Sequence, residues 1–214
     1  MNIGILGTGE VGTSLGTGLV QLGHQVRLGS RNPQSEALTT WLASAGKGAR
    51  AGTFAETAKF GEIVIIATLW SGTENALELA GKGNLAGKVV IDATNPLVFT
   101  PGRGPALALG HTDSGGEQVQ RWLPGSRVVK CFNMVGHAHM VNPSFPGGPP
   151  DMFICGNDSA AKKTVTALLT SLGWPATDLG GIEGSRLLEP LCILWVGYGM
   201  ATGGWNHAFK MLRK

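Results

Sequence analysis

The first twelve residues constrain the fold more than any other part of the chain. A short apolar run, residues 3–6, leads directly into a glycine-rich turn made of Gly7, Thr8, Gly9, Glu10, Val11 and Gly12. In this pattern the first glycine permits a tight turn, the second lets backbone N–H groups approach a ligand, and the third lets a helix pack on the strand. A helix that begins here presents free N–H groups and partial positive charge. The motif therefore predicts a diphosphate-binding turn.

The surroundings of this turn support the interpretation in a chain with 34 glycines, where chance matches are expected. The turn follows an apolar strand and opens a helix predicted over residues 10–22, whose apolar face is formed by Val11, Leu15, Leu19 and Leu22. A second strand follows at residues 25–28. The alternative is a glycine turn with only a structural role, and the strand–turn–helix–strand order favours a dinucleotide-binding βαβ unit.

The end of the second strand indicates which dinucleotide is bound. NAD sites usually carry Asp or Glu there to hold the ribose 2′-hydroxyl, whereas NADP sites place small polar and Arg side chains around a 2′-phosphate. This chain has Ser30, Arg31 and Asn32 at that point. A guanidinium binds phosphate oxygens in bidentate fashion, so NADP is favoured. The alternative is that Arg31 is an ordinary solvated surface charge.

Further apolar runs at residues 63–67, 89–92 and 127–131 predict a parallel sheet covered on both faces. Helices are expected at residues 33–45, 54–59, 71–79, 116–123 and 160–172, and a strand pair at 152–155 and 175–179 is expected to extend the sheet. The predicted fold class is α/β, a doubly wound parallel sheet of the Rossmann type. We expect an NADP-binding domain over residues 1–180. A small extension, 181–214, would hold a C-terminal helix over residues 185–212 that packs on the active-site face or a dimer interface.

Composition narrows the function classes. The 17 Lys and Arg residues are scattered, which argues against a nucleic-acid partner. The three cysteines are far apart, so neither a disulfide framework nor a metal site is expected. Residues 190–209 carry no formal charge but are too polar for a confident membrane span, and no signal peptide is visible. The expectation is a cytoplasmic protein without a membrane partner.

Polar and apolar residues that follow the other strands are candidates for the rest of the site, because ligands bind at the carboxyl ends of strands in this architecture. Thr68 and Leu69 are predicted to contact phosphate and ribose, and Asn95 and Pro96 the nicotinamide side. Trp70, which follows Leu69, is a further candidate for cofactor binding. The candidates for the acceptor pocket are Asn133, Met134 and His137. The alternative for Asn95 and Pro96 is that they form only a turn.

No catalytic acid or base is evident from motifs. Tyr198 lacks the following lysine of a Tyr-x-x-x-Lys pair, and no nucleophile elbow is present. His137 is a candidate proton donor, with a packing or surface role as its alternative. Hydride transfer between two rings, a nicotinamide and a flavin or deazaflavin, requires alignment but no catalytic acid. The sequence is compatible with that reaction.

At the level of motifs, the chain resembles the NADPH-dependent coenzyme F-420 reductase family, whose relatives include the oxidoreductase domain of the six-transmembrane metalloreductases. The matching segments are residues 7–12, 29–31, 67–70, 128–133 and 184–189. The resemblance implies NADP bound by the first three segments, the helix that contains Glu189 beside the active site, and a homodimer. It further implies coenzyme F-420, or FMN or FAD, as co-substrate. Asn133 stands where archaeal members carry a His that contacts the deazaflavin.

Two other functions stay open on the sequence. One is an NADPH-dependent reductase of a small imine or carbonyl substrate, with His137 or water as proton donor. The other is a non-catalytic NADPH-sensing module.

Overall fold

The computed structural model describes residues 1–214 and has a six-stranded parallel sheet at its centre, in the order β3-β2-β1-β4-β5-β8. The strands are β1 (Asn2–Leu6), β2 (Gln25–Gly29), β3 (Ala49–Gly52), β4 (Ile63–Ile66), β5 (Val89–Asp92), β6 (Leu97–Val98), β7 (Ala106–Leu107), β8 (Arg127–Lys130), β9 (Met152–Ile154) and β10 (Ala176–Asp178). The strand order reverses beside β1, as in a doubly wound fold. The predicted fold class is confirmed.

Helices cover both faces of this sheet. They are α1 (Glu10–Gln21), α2 (Glu36–Ala45), α3 (Phe54–Phe60), α4 (Trp70–Ala80), α5 (Lys82–Leu85), α6 (Gly115–Trp122), α7 (Ser159–Ser171) and α8 (Ser185–Thr202). Alternate residues of β4 enter different cores, with Ile63 and Ile65 in one cluster and Val64 and Ile66 in the other. Because successive strand residues point to opposite faces, the apolar run of β4 serves two layers.

The second strand pair does not extend the main sheet as predicted. β9 and β10 form a separate two-stranded parallel sheet, joined to β8 through a single antiparallel bridge between Lys130 and Cys155. The chain turns away at once, because the N–H of Gly156 donates to the carbonyl of Gly180 instead. The pairing with β8 therefore stops after one residue.

The C-terminal helix is also shorter than predicted. α8 ends at Thr202, because Gly203 adopts a left-handed conformation with φ of 68°. The following segment runs back over the protein, where the N–H of Met211 donates to Asp151 Oδ2 at 2.8 Å and the N–H of Asp151 donates to the carbonyl of Phe209 at 2.9 Å. No helix has both the length and the apolar character needed to cross a membrane.

Candidate functional site

The strongest candidate site is a crevice at the carboxyl edge of the main sheet. Leu6 pairs with Gly29 on one side and with Ile66 on the other, so the residues that follow these three strands lie side by side. The crevice between them has a volume of about 680 Å³. It lies beside β1, the strand order's point of reversal, where ligands bind in this fold.

Nine of the fourteen predicted cofactor residues line this crevice: Gly7, Thr8, Gly9, Glu10, Val11, Ser30, Arg31, Thr68 and Leu69. The other five, which are Gly12, Asn32, Trp70, Asn95 and Pro96, do not line it. Sequence reasoning missed Ser71, Gly72 and Asn75 at the start of α4, and Ala93 after β5. The i, i+1, i+4 spacing of the three α4 residues places them near one another on the helix, a signal that becomes useful only once the helix is oriented.

The glycine turn has the geometry expected of a phosphate cradle. Gly7 has φ of 124°, and a Cβ there would collide with the carbonyl oxygen of Ala67. A Cβ on Gly9 would meet no atom within 4 Å, so this position faces open space. The first N–H bond within α1 runs from Thr13 to the Gly9 carbonyl at 3.0 Å, and the N–H groups of the first turn precede it. They are free to bind an anion.

A Cβ on Gly12 would meet the carbonyl oxygen of Gly7, within the turn itself. Gly12 is buried on α1. Its role is therefore to let the helix approach the turn closely, which explains why it does not line the crevice.

Ser30 and Arg31 form a donor pair at the end of β2. Ser30 Oγ accepts a hydrogen bond from the N–H of Asn32 at 3.0 Å, which leaves the hydroxyl proton available. Arg31 is exposed and forms no hydrogen bond or ion pair within the protein. A hydroxyl donor and an unpaired guanidinium at one crevice wall suit a phosphate monoester.

The segment after β4 presents a different surface. Thr73 Oγ1 donates to the Leu69 carbonyl at 3.1 Å, so the Thr68 hydroxyl, 2.9 Å from Thr73 Oγ1, is the donor of that pair. Thr68 Oγ1 keeps its lone pairs as acceptors toward the crevice. The Leu69 side chain is 84% exposed at the rim.

Trp70 faces the protein interior rather than the crevice. Its indole stacks on Trp122 with ring centroids 5.4 Å apart, and it packs against the smaller apolar cluster. The role in cofactor binding that was proposed for Trp70 from the sequence stays a prediction.

Asn95 and Asn133 join the ends of β5 and β8. Asn133 Nδ2 donates to Asn95 Oδ1 and to the Leu188 carbonyl, both at 2.9 Å, and Asn95 Nδ2 donates to the Asn133 carbonyl at 2.7 Å. Asn133 is buried, and its Oδ1 has no hydrogen-bond partner. Met134 is buried in the larger apolar cluster. Their predicted contact with an acceptor stays a prediction.

His137 lies in a short 3-10 helix, His137–His139, against α1. Its Nδ1 is 3.3 Å from Ser14 Oγ and its Nε2 is 3.4 Å from Glu10 Oε2. Because Glu10 lines the crevice, His137 is connected to it through one side chain. No group of three or more His, Cys, Asp or Glu side chains is arranged to hold a metal ion.

A fully buried ion network lies directly behind the crevice. Lys130 Nζ is 3.0 Å from Asp92 Oδ2 and 2.9 Å from Glu189 Oε1, and all three side chains are buried. Burial alone would lower the pKa of Lys130, but the two carboxylates outweigh it and hold this pKa above its usual value. Sequence reasoning did not identify Asp92 and Lys130 as parts of a site, because a charged residue at a strand end is more often exposed.

Sequence comparison places the chain among known reductases. Residues 2–96 match the family described as NADP oxidoreductase, coenzyme F420-dependent. The chain is 35% identical over 144 residues to the F420-dependent NADP reductase of Methanocaldococcus jannaschii, covering 66% of this chain and 64% of that protein. It is 31% identical over 191 residues to metalloreductase STEAP3 of Rattus norvegicus, covering 88% of this chain but only 36% of that protein.

A solved structure extends the similarity to the whole chain. It is a protein of Arthrobacter sp. FB24, provisionally assigned as an F420-dependent NADP reductase, with 39% identity, a TM-score of 0.93 and 99% coverage of both chains. The shared region therefore includes α8 as well as the sheet.

We expect Gly9→Ala to weaken NADPH binding without unfolding the protein. The new methyl group would occupy the open space before α1, where a diphosphate would approach, and the cost to stability should stay at or below about 1 kcal/mol. Titration of NADPH fluorescence should show an affinity loss of roughly tenfold or more. Gly83→Ala, at an equally open glycine of α5, is the matched control. Unchanged affinity in Gly9→Ala would contradict the cradle.

Arg31→Asp should reverse the dinucleotide preference. The carboxylate would repel a 2′-phosphate and accept a bond from a 2′-hydroxyl, so NADPH affinity should fall by about tenfold or more while NADH affinity is spared or gained. Affinities for both dinucleotides are measured side by side. Arg103→Asp makes the same charge change at an exposed loop position away from the crevice. An equal loss for both dinucleotides would rule out contact between Arg31 and the 2′-phosphate.

Proposed function

Because the chain belongs to the coenzyme F420-dependent NADP oxidoreductase family, we propose that it transfers hydride between NADP(H) and a deazaflavin, coenzyme F-420, or a flavin such as FMN or FAD. The observation that carries the proposal is the pairing of an open glycine turn with an unpaired Arg31 along one crevice. The chain spans 64% of the archaeal reductase and 36% of the metalloreductase that it matches. The reaction of this protein is therefore proposed and is not taken over from these relatives.

In this proposal each wall of the crevice has a separate task. The turn from Gly7 to Val11 binds the diphosphate through backbone N–H groups, and Ser30 and Arg31 bind the 2′-phosphate. Thr68 Oγ1, which donates its hydrogen bond to Thr73 Oγ1, accepts one from a ribose hydroxyl. These contacts do not change during hydride transfer, so they contribute binding and orientation.

The far end of the crevice, near Ala93 and Asn95, would hold the nicotinamide. NADPH supplies the hydride when bound, and the chain's task there is to hold the ring against its acceptor and to exclude water. Asn133 and Met134 follow the neighbouring strand β8, and this position supports the proposal that they contact the acceptor. The hydrogen bonds between Asn95 and the buried Asn133 give that wall a fixed geometry.

One observation favours a second candidate, reduction of a small imine or carbonyl compound. His137 contacts both Ser14 and Glu10, so it has a hydroxyl and a carboxylate with which to exchange a proton. Reduction of an imine or carbonyl needs a proton delivered to its nitrogen or oxygen, whereas a ring nitrogen of a reduced flavin or deazaflavin can take its proton from water. An NADPH-sensing module is the remaining alternative.

We also propose that the protein is a homodimer through α8. Leu187, Leu191, Leu194 and Tyr198 recur at helical spacing, and the side chains of Leu187, Leu194 and Tyr198 are more than half exposed. A continuous apolar stripe on an exposed helix is typical of an interface. A second copy of α8, related by a two-fold axis, would cover it with the same residues.

Turnover with a panel of acceptors tests the reaction. With NADPH, F-420 or FMN should be reduced well above the rate in solution, and His137→Ala should leave this rate within about twofold, because ring-to-ring transfer needs no protein proton donor. His139→Ala, in the same 3-10 helix but with Asn206 as its partner, is the matched control.

A large loss in His137→Ala, together with reduction of imines or carbonyls, would instead support the second candidate. Binding of NADPH without turnover of any acceptor would leave the sensing module.

Leu194→Glu should dissociate the proposed dimer. A carboxylate buried at the centre of the stripe would lack a partner, so sedimentation velocity should show a monomer at concentrations where the wild-type protein is dimeric. Leu79→Glu changes an exposed leucine of α4 and should not alter the assembly. A wild-type monomer at all concentrations would contradict the homodimer.

A further inference from the structure

The buried ion triad, defined as Asp92, Lys130 and Glu189, has every polar atom satisfied. The Lys130 ammonium donates to Asp92 Oδ2, to Glu189 Oε1 and, at 2.6 Å, to the Thr94 carbonyl, which uses all three of its protons. Asp92 Oδ1 accepts from the Thr94 N–H at 2.9 Å and from Thr94 Oγ1 at 2.7 Å. The triad is a closed network with no exposed member.

Glu189 connects the triad to two helices. Its carboxylate accepts from the N–H groups of Gly115 and Gly116, both at 2.9 Å, at the start of α6. The triad contains two carboxylates and one ammonium, so it carries one excess negative charge. The partial positive charge at the start of α6 compensates this charge. Glu189 itself belongs to α8, so the triad joins α6 and α8 to the ends of β5 and β8.

These connections converge on the inner end of the crevice, which is the end near Ala93. Ala93, which lines the crevice, lies between Asp92 and Thr94, and both neighbours are held by Lys130 or by each other. Leu188, whose carbonyl accepts from Asn133, directly precedes Glu189. The Asn95–Asn133 pair is therefore linked to the triad twice, once through residues 92–95 and once through Leu188 and Glu189.

A buried ion pair contributes little net stability compared with apolar side chains of the same size, but it fixes geometry through directional bonds. Apolar residues behind Ala93 would fill the same space without fixing the Thr94 carbonyl. The location of the triad, beside the crevice end proposed for the nicotinamide, relates this fixed geometry to the reaction.

We propose that Lys130, together with Asp92 and Glu189, is a positioning residue that fixes the Ala93–Asn95 segment against the nicotinamide ring. The inference rests on the proposed use of NADPH. None of the three side chains touches the cofactor in this account. They act through Ala93 and through the Asn95–Asn133 pair, while the adenosine end of the crevice is held by other residues.

Binding of two ligands reports on the two ends of the crevice separately. NADPH reports on the nicotinamide through its fluorescence enhancement and anisotropy, whereas 2′,5′-ADP fills only the adenosine end. We expect Glu189→Gln, which removes one charge at nearly constant shape, to lower NADPH affinity about threefold to tenfold and to reduce the nicotinamide fluorescence enhancement. The dissociation constant of 2′,5′-ADP should stay within about twofold, because the triad does not contact that end.

A second variant keeps the test decisive if Glu189→Gln does not fold. The double substitution Asp92→Asn with Lys130→Met removes one positive and one negative charge together, leaving Glu189 bound by the N–H groups of α6. Val165→Ala, a buried position in α7, matches the loss of stability without touching the crevice. All proteins are compared at a temperature where each is folded by circular dichroism.

The split between the two ligands decides the outcome. Weaker nicotinamide signals with intact 2′,5′-ADP binding in either triad variant, and not in Val165→Ala, would support the positioning role. If neither triad variant shows the split, the triad is only structural and the inference is wrong. Neither ligand involves a hydride acceptor, so failure of the proposed reaction would appear separately, as absent turnover in the wild-type protein.

Discussion

The in-register parallel pairing at the carboxyl ends of the strands is the constraint on which the rest of the site depends. The N–H of Gly7 donates to the Gly29 carbonyl, and the N–H of Ala67 donates to the Leu6 carbonyl. The N–H of Ala93 continues this series to the Ile66 carbonyl. A shift of one residue would turn every strand side chain to the opposite face, which the two apolar cores forbid. The cores therefore fix the crevice walls as firmly as they fix the fold.

This dependence explains which parts were predictable from sequence. The glycine turn, β4 and β5 are recognisable because each needs only a local signal: glycine where a Cβ would collide, or a continuous β-branched run for two cores. Nine predicted residues line the crevice for the same reason. β3, by contrast, is the short segment Ala49–Gly52 with two glycines next to or within it, and its strand character comes from pairing with β2.

The remaining differences arise from long-range contacts that leave no local pattern. Trp70 occupies a loop-to-helix position typical of ligand contacts, yet its indole stacks on Trp122 because α6 lies beside α4 in space. The predicted end of the C-terminal helix was wrong because apolar periodicity continues past Thr202, while Gly203 ends the helix. Lys130 is a similar case, since its carboxylate partners become neighbours only in the folded chain.

The two ends of the crevice are built on opposite physical principles. At the end near β2 an exposed, unpaired Arg31 can reach a phosphate, and its attraction is weakened by salt. At the inner end the ion triad is buried beyond the reach of salt, and every bond of its ammonium is already made within the protein. An adjustable side chain suits capture of a charged ligand from solution. A fixed wall suits a reaction whose rate depends on the distance between two rings, so the division matches the needs of the proposed hydride transfer.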